Sequence, residues 1–455
     1  MLLRADYVLP ITVDPIFKGA VVVQDGVIKD VGVASDIVRH YPKEEVRDLG
    51  SAVLMPGLVD LHTHLENACL RGVLYDVPYA TWSTMKYYEA VKLTEQDWQD
   101  SALVGGIQAL ANGVTTVADV SSNGSALKSA LKLGLRSVIY REVGAMDKTR
   151  IEHAMNAVDA EISAWRDEAA GSLVSIGIAP AHLFDCHPEV MRRVSAYATR
   201  ENIPVAMHLA GSREEEAFVK HGSSLFSVNR AKRGFVEVPP WLPTGVSPVK
   251  YAQNWDAFES PNVMVIHGVH VDDDDIKIMK KHDVSVAACP RSNAQLGMGL
   301  PPLNEYLRAG IRIGFGTDSP AATDSSDLLT ETRLGMLLTR ATSTEFLSSD
   351  KALEMATLGA ARALRMDDEI GSLDVGKRAD IIAVDLSKTR QAPTDFPASA
   401  VVHGCHGSDV IMTMVDGKIL YADGVIASHT SMEDAYAMID KIRAKLHEAE
   451  SREKK

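Results

Sequence analysis

The chain has 455 residues, 46% hydrophobic and 24% charged, an ordinary composition for a folded protein in water. Its formal net charge of −14 argues against nucleic acid as a partner, because binding a phosphate backbone needs a basic face. No apolar run is long enough to cross a bilayer, Met1–Tyr7 lacks a charged-then-apolar secretory pattern, and Cys69, Cys186, Cys289 and Cys405 form no CxxC pair; reduced thiols, a cytoplasmic location and no membrane association are therefore expected.

Residues 1–55 read as short strands and turns. Ala20–Val23 is an apolar run, Asp25-Gly26 a hairpin turn, and Val27-Ile28 the start of a second strand. This piece is too short to bury a core alone. A matching β region lies at 366–425, with Ala379–Val384, Val410–Val415, a second Asp-Gly turn at Asp416-Gly417, and Lys418–Leu420. The two ends are expected to meet as one small β-sandwich, since apart they would leave these apolar runs exposed. Residues 426–455 read as an amphipathic, charge-rich helix ending in a Glu/Lys tail.

Between the two β regions, at 56–365, strand-like runs at 57–65, 114–120, 135–143, 174–180, 203–210, 262–270, 284–291 and 311–318 alternate with amphipathic stretches such as Ile151–Ala169 and Pro188–Glu201. This pattern predicts an α/β fold, a (β/α)8 TIM barrel. A doubly wound open sheet is the alternative, weakened because no Gly-rich phosphate fingerprint follows the first strand.

The first barrel run ends in His62-Thr63-His64, two imidazoles on one face of a strand. Later runs end at His208, His267 and Asp318. Barrel enzymes place their chemistry at the C-terminal ends of strands. Burying this many ionisable groups is costly without a charge partner, and a divalent cation is that partner. Three imidazoles and a carboxylate suit zinc or Fe(II) with a position left for water. Such a metal brings the pKa of bound water towards about 7. Asp318 then serves as general base, while His267 orients the water or polarises the electrophile. The reaction class is hydrolytic attack on an electron-poor carbon, a ring C–N or an amide-like carbonyl.

Four stretches, Gly57–His64, Gly113–Asp119, Gly316–Ser319 and Gly371–Asp380, resemble the amidohydrolase superfamily across nearly the whole chain. Cys289–Asn293 and Pro240–Val249 are most similar to its chlorohydrolase and cytosine/adenosine deaminase branch, to aminodeoxyfutalosine deaminases first and methylthioadenosine/S-adenosylhomocysteine deaminases next. The resemblance implies one divalent metal ion, zinc or iron, held by His62, His64, His208 and Asp318, with His267 as the strand-six histidine and His270 as a loop or capping residue. It implies a ribose-binding glutamate at Glu89; the substrate pocket is further expected to involve His182, Gly211, Arg291 and Ser319. A homo-oligomer, dimer or tetramer, is expected.

Three positions depart from that pattern. The glutamate usual three residues after the strand-five histidine is Gly211, the histidine usual after strand four is Ala181 with His182 one residue late, and a serine usual after the strand-eight aspartate is Ala322. Glu214 and Glu215 read as a solvated helix face, and Gly211 as room beside the metal. The expected function is metal-dependent hydrolysis of a C–N bond in a small nitrogen heterocycle other than an adenosine-type nucleoside. A hydrolase that opens a cyclic amide, or removes a halide or thiolate, is the alternative; a non-catalytic binding protein is a third reading, in which Asp318 and His267 would have no purpose.

Overall fold

The structure is a computed structural model that describes residues 1–234, 243–387, 391–428 and 430–453. Of the Pro240–Val249 stretch, 240–242 lie outside the described residues. Eight parallel strands follow one another round the barrel in chain order: β1 (Leu58–Thr63), β2 (Val114–Ser121), β3 (Arg136–Val143), β4 (Val174–Pro180), β5 (Val205–Leu209), β6 (Val263–His267), β7 (Ser285–Ala288) and β8 (Ile313–Phe315). Seven lie within their expected runs, and β2 extends one residue past its own, to Ser121. The last strand returns to the first through a parallel bridge, Thr63 opposite Asp318, and the Asp318 N–H donates to the His62 carbonyl at 2.8 Å. Gly316 allows this approach: a Cβ there would sit 2.8 Å from the Cβ and backbone nitrogen of His62.

Alternation along the strands sorts their residues into two apolar clusters. Val205, Met207 and Leu209, with Val263 and Val265, pack in the large cluster that contains the surrounding helices. Ala206, Met264 and Ile266 belong to a second cluster with Val59, Val120 and Tyr140, joined by Ala360, Leu364 and Ile370. His208 shares the face of Ala206, so its ring projects on the side of this inner cluster, at the strand end.

The chain ends form one continuous nine-stranded sheet. Its seam is the antiparallel pair Ala52–Pro56 and Ile381–Asp385, with Ile381 opposite Pro56 and Asp385 opposite Ala52. The expected sandwich thus takes the form of a single sheet over one core that includes Leu3, Val21, Ile28, Leu54, Ile381 and Met414. Both Asp-Gly pairs adopt positive φ (51° and 75° at Asp25-Gly26, 52° and 77° at Asp416-Gly417), the geometry of a two-residue hairpin turn. The two turns touch each other. The sheet is fixed to the barrel by Arg136 of β3, which donates from Nε and Nη2 to the two carboxylate oxygens of Asp380 at 2.7 and 3.0 Å. The helix Met432–Glu453 lies against Glu95–Ala111, through Lys445 with Asp97. Among the described residues, no helix is long and apolar enough to cross a membrane.

Candidate functional site

His62, His64 and His208 converge at the C-terminal ends of β1 and β5, their ligand-capable atoms all within 4.8 Å of one another. His62 Nε2 lies 3.2 Å from His208 Nε2 and 3.3 Å from Asp318 Oδ1. His64 donates from Nδ1 to the Val120 carbonyl at 2.9 Å, which leaves its Nε2 as the ring atom with a free lone pair. Burial, then the neighbouring His62, holds His64 well below the usual imidazole range; burial and the rings of His182, His62 and His64 do the same to His208. Burial alone would push Asp318 up, but the histidines, His62 foremost, overcome this and hold it well below the usual carboxylate range. Neutral imidazole lone pairs beside a fixed carboxylate form a donor set for a divalent cation, so these residues fit a metal.

The backbone is strained at this centre. His267 and Asp318 sit at φ 74° and 60°, left-handed conformations that cost a non-glycine residue about 1–3 kcal/mol and persist where surroundings over-determine them. Supporting contacts hold the ligands from behind. Asp60 accepts from the Thr317 N–H at 2.9 Å and its hydroxyl at 2.6 Å, tying β1 to β8, and Asp119 accepts from Thr63 Oγ1 and the Leu65 N–H, both at 2.7 Å.

The other expected pocket residues fare differently. His182 enters the site despite its one-residue offset. Its ring centre lies 4.3 Å from that of His208 and 4.9 Å from that of Phe184, its Nδ1 is 3.5 Å from the Tyr79 hydroxyl, and burial pushes it down to about 3. Phe184 in turn stacks on Phe226 at 3.6 Å, so aromatic rings lead outward from His208. Arg291 is held elsewhere: its backbone N–H and Nε donate to Glu331 at 2.7 and 3.0 Å, while Nη1 and Nη2 donate to the hydroxyl and carbonyl of Ser325. Glu89 pairs with Lys92 at 2.8 Å. On the same helix, Tyr79–Ala90, Lys86 is the side chain within electrostatic reach of His64 and His182, and sequence reasoning missed it. Ser319 caps the short helix after β8 and its hydroxyl accepts from Asn67 at 3.1 Å. His270 engages the Met298 carbonyl at 2.7 Å, as expected of a loop residue.

Two expectations are corrected. Gly211 opens no room, because a Cβ there would lie 3.0 Å from Met298 Cε and 3.3 Å from His267 Cδ2. Glu215 does not lie on a solvated face. It is buried, accepting from the N–H groups of Ala210 and Gly211 at 2.9 and 3.0 Å, and burial pushes it up to about 7. Only Glu214 and Glu216 of that acidic run avoid burial.

Residues 53–420 match the amidohydrolase family. The chain belongs to that family. It is 29% identical over 448 residues to a 5-methylthioadenosine/S-adenosylhomocysteine deaminase of Moorella thermoacetica, covering 97% of this chain and 98% of the relative. In fold it is similar to an adenosine deaminase from Xanthomonas campestris solved with bound zinc (TM-score 0.83, 24% identity, 98% of each chain). It is similar also to an atrazine chlorohydrolase from Arthrobacter aurescens complexed with zinc (TM-score 0.81, 20% identity, 98% of this chain and 99% of that one). This amidohydrolase is an enzyme of the hydrolase class that acts on C–N bonds, with a histidine-rich candidate metal centre at the mouth of its barrel.

Proposed function

We propose that this amidohydrolase removes an amine from a small, planar nitrogen heterocycle, with one zinc or iron ion held by His62, His64, His208 and Asp318. The observation that carries this reading is the convergence of three imidazoles on the carboxylate of Asp318, with Asp318 and the neighbouring His267 both in strained, left-handed backbone. The bound metal supplies water activated for attack near neutral pH.

The chain's own groups handle the protons. Asp318, kept ionised by the surrounding histidines, accepts the proton of the attacking water and returns it to the leaving nitrogen. His267, which burial pushes down to about 4, stays neutral and orients the water. His182, packed between His208 and Phe184, offers an edge that can bond a flat ring. Lys86, whose Nζ lies 5.2 Å from the centre of the Trp82 ring, acts electrostatically on His64 and His182. Gly211 carries no carboxylate and Ala322 no hydroxyl, which argues for a base other than that of an adenosine-type nucleoside. His182 pulls the other way, since it restores an imidazole to the wall.

The absence of a side-chain acid at Gly211 favours one second reading, opening of a cyclic amide or loss of a group that needs little protonation. The test is a panel of aminopurines, aminopyrimidines, aminotriazines, their nucleosides and cyclic amides, scored separately for ammonia release and ring opening. Ammonia from a free heterocycle supports the first reading; turnover confined to aminopurine nucleosides at about 10⁴ M⁻¹s⁻¹ or more would overturn the specificity proposed here.

A further inference from the structure

Glu66 follows His64 by two residues, in the short 3₁₀ helix Leu65–Leu70 after β1. It is buried, and its carboxyl is met by three neutral donors: Ser121 Oγ at 2.9 Å on Oε2, and the Ser122 N–H and Oγ at 3.3 and 2.9 Å on Oε1. Its main chain is anchored separately. The Glu66 carbonyl accepts from Ser101 Oγ at 2.7 Å, and the same oxygen of Ser101 accepts from the Cys69 N–H at 2.8 Å. Taking a carboxyl out of water is costly, so one kept here on neutral partners needs a purpose.

The place of those donors supplies one. Ser121 and Ser122 directly follow Val120, whose carbonyl accepts from His64 Nδ1 at 2.9 Å. The last rung between β1 and β2 pairs Thr63 with Asp119, so Val120 lies one residue past that ladder. β3 holds the other edge of β2 as far as Ser121, opposite Arg141. On the β1 side, Thr63 and Leu65 grip Asp119, before Val120, and Glu66 grips Ser121 and Ser122, after it. The carbonyl that orients a candidate metal ligand is thus braced from both directions by the segment that carries the ligand.

We propose that Glu66 is a positioning residue: its carboxyl holds Ser121 and Ser122 so that the Val120 carbonyl meets His64 Nδ1–H, fixing that ring as the tautomer whose Nε2 presents a bare lone pair. The consequence for metal binding rests on the assignment of His64 as a ligand. Outer partners set the orientation and tautomer of ligand histidines, and losing one typically costs about 10–100-fold in metal affinity. Here that partner is a main-chain carbonyl, which no side-chain substitution deletes. Glu66 is the side chain through which it can be displaced.

The test is long-range proton–nitrogen correlation NMR on metal-free, ¹⁵N-histidine-labelled protein, with His64→Gln to assign the ring. Wild type and Glu66→Gln, whose amide can still bond both serines, are expected to show His64 protonated at Nδ1 and bare at Nε2. Glu66→Leu is expected to show a mixture of tautomers. In competition with a chelator, zinc should bind Glu66→Leu about 10–100-fold more weakly than wild type, and Glu66→Gln should recover most of that loss. Wild-type His64 protonated at Nε2, or an unchanged tautomer in Glu66→Leu, would overturn the proposal. Should Glu66→Leu fail to fold, the double variant Ser121→Ala, Ser122→Ala removes two of the three donors, and an unchanged tautomer there overturns it equally. A lost tautomer with unchanged zinc affinity would support the positioning role and remove His64 from the metal set, so the two failures are told apart.

Discussion

Two of the buried clusters of ionisable groups on this barrel are built on opposite principles. At the joint with the terminal sheet, Arg136 meets Asp380 through two hydrogen bonds, and the Asp416 N–H adds a third donor to the same carboxylate at 2.8 Å. Charge is matched there. At the barrel mouth, His62 Nε2 faces His208 Nε2 at 3.2 Å and Asp318 Oδ1 at 3.3 Å, and the Nδ1 atoms of His62, His208 and His267 and both ends of the Asn293 amide have no hydrogen-bond partner among the described residues. Charge and hydrogen bonding are left open on one side. A satisfied buried cluster holds a structure together; an unsatisfied one held by strained backbone awaits a ligand.

The contrast can be broken by substitutions on either side. The largest effect is expected at the mouth: His62→Ala should lose most of its metal, read by elemental analysis, and with it nearly all activity, while melting close to wild type once wild type is stripped of metal as well. The joint should behave in the reverse way. Arg136→Ala leaves Asp380 buried without its partner and should cost about 3–5 kcal/mol in denaturant unfolding, with metal content per folded chain unchanged.

A smaller effect is expected for Gly211→Glu, which places a carboxylate where the family's deaminases have one. The added Cβ meets the terminal methyl of Met298, the edge of His267 and, at 3.6 Å, the carboxylate of Glu215, so overpacking should cost about 1–3 kcal/mol. Gain of ammonia release from aminopurine nucleosides would show that Gly211 excludes them.

The smallest effect concerns pH. Glu215 has an ordinary value of 4.5 and is pushed up by burial to about 7, so the folded chain holds a proton that the unfolded chain releases first. Its contribution to stability is therefore fully present below about 4.5 and is lost as pH rises through about 7. In Glu215→Gln the difference in melting temperature between pH 5 and pH 8 should shrink.

Much of this was legible in the sequence. The eight barrel strands announce themselves as apolar runs, four of them closed by histidine or aspartate, and the terminal hairpins by Asp-Gly pairs whose positive φ few other dipeptides adopt readily. The candidate ligands follow from strand ends alone. What stayed hidden depends on loops. His182 reaches the site because the segment after β4 turns it onto His208, which a one-residue offset in sequence disguises. Glu215 looks, with Glu214, like a helix-surface glutamate until the turn after β5 offers it two N–H donors. Arg291 looked free for substrate, and only the fold brings Glu331 and Ser325 to it. Asn293 closes the Cys289–Asn293 stretch, but that its buried amide has no partner among the described residues is a property of packing that no spacing reveals.

The central claim is that one metal ion sits among His62, His64, His208 and Asp318 and that hydrolysis depends on it. The most direct measurement is anomalous diffraction from crystals of the purified protein at the zinc and iron edges. The account predicts a single strong peak within coordination distance, about 2.0–2.2 Å, of nitrogen atoms of the three histidines and an oxygen of Asp318. An active, metal-free crystal, or a peak bound elsewhere with these four side chains unligated, would contradict it.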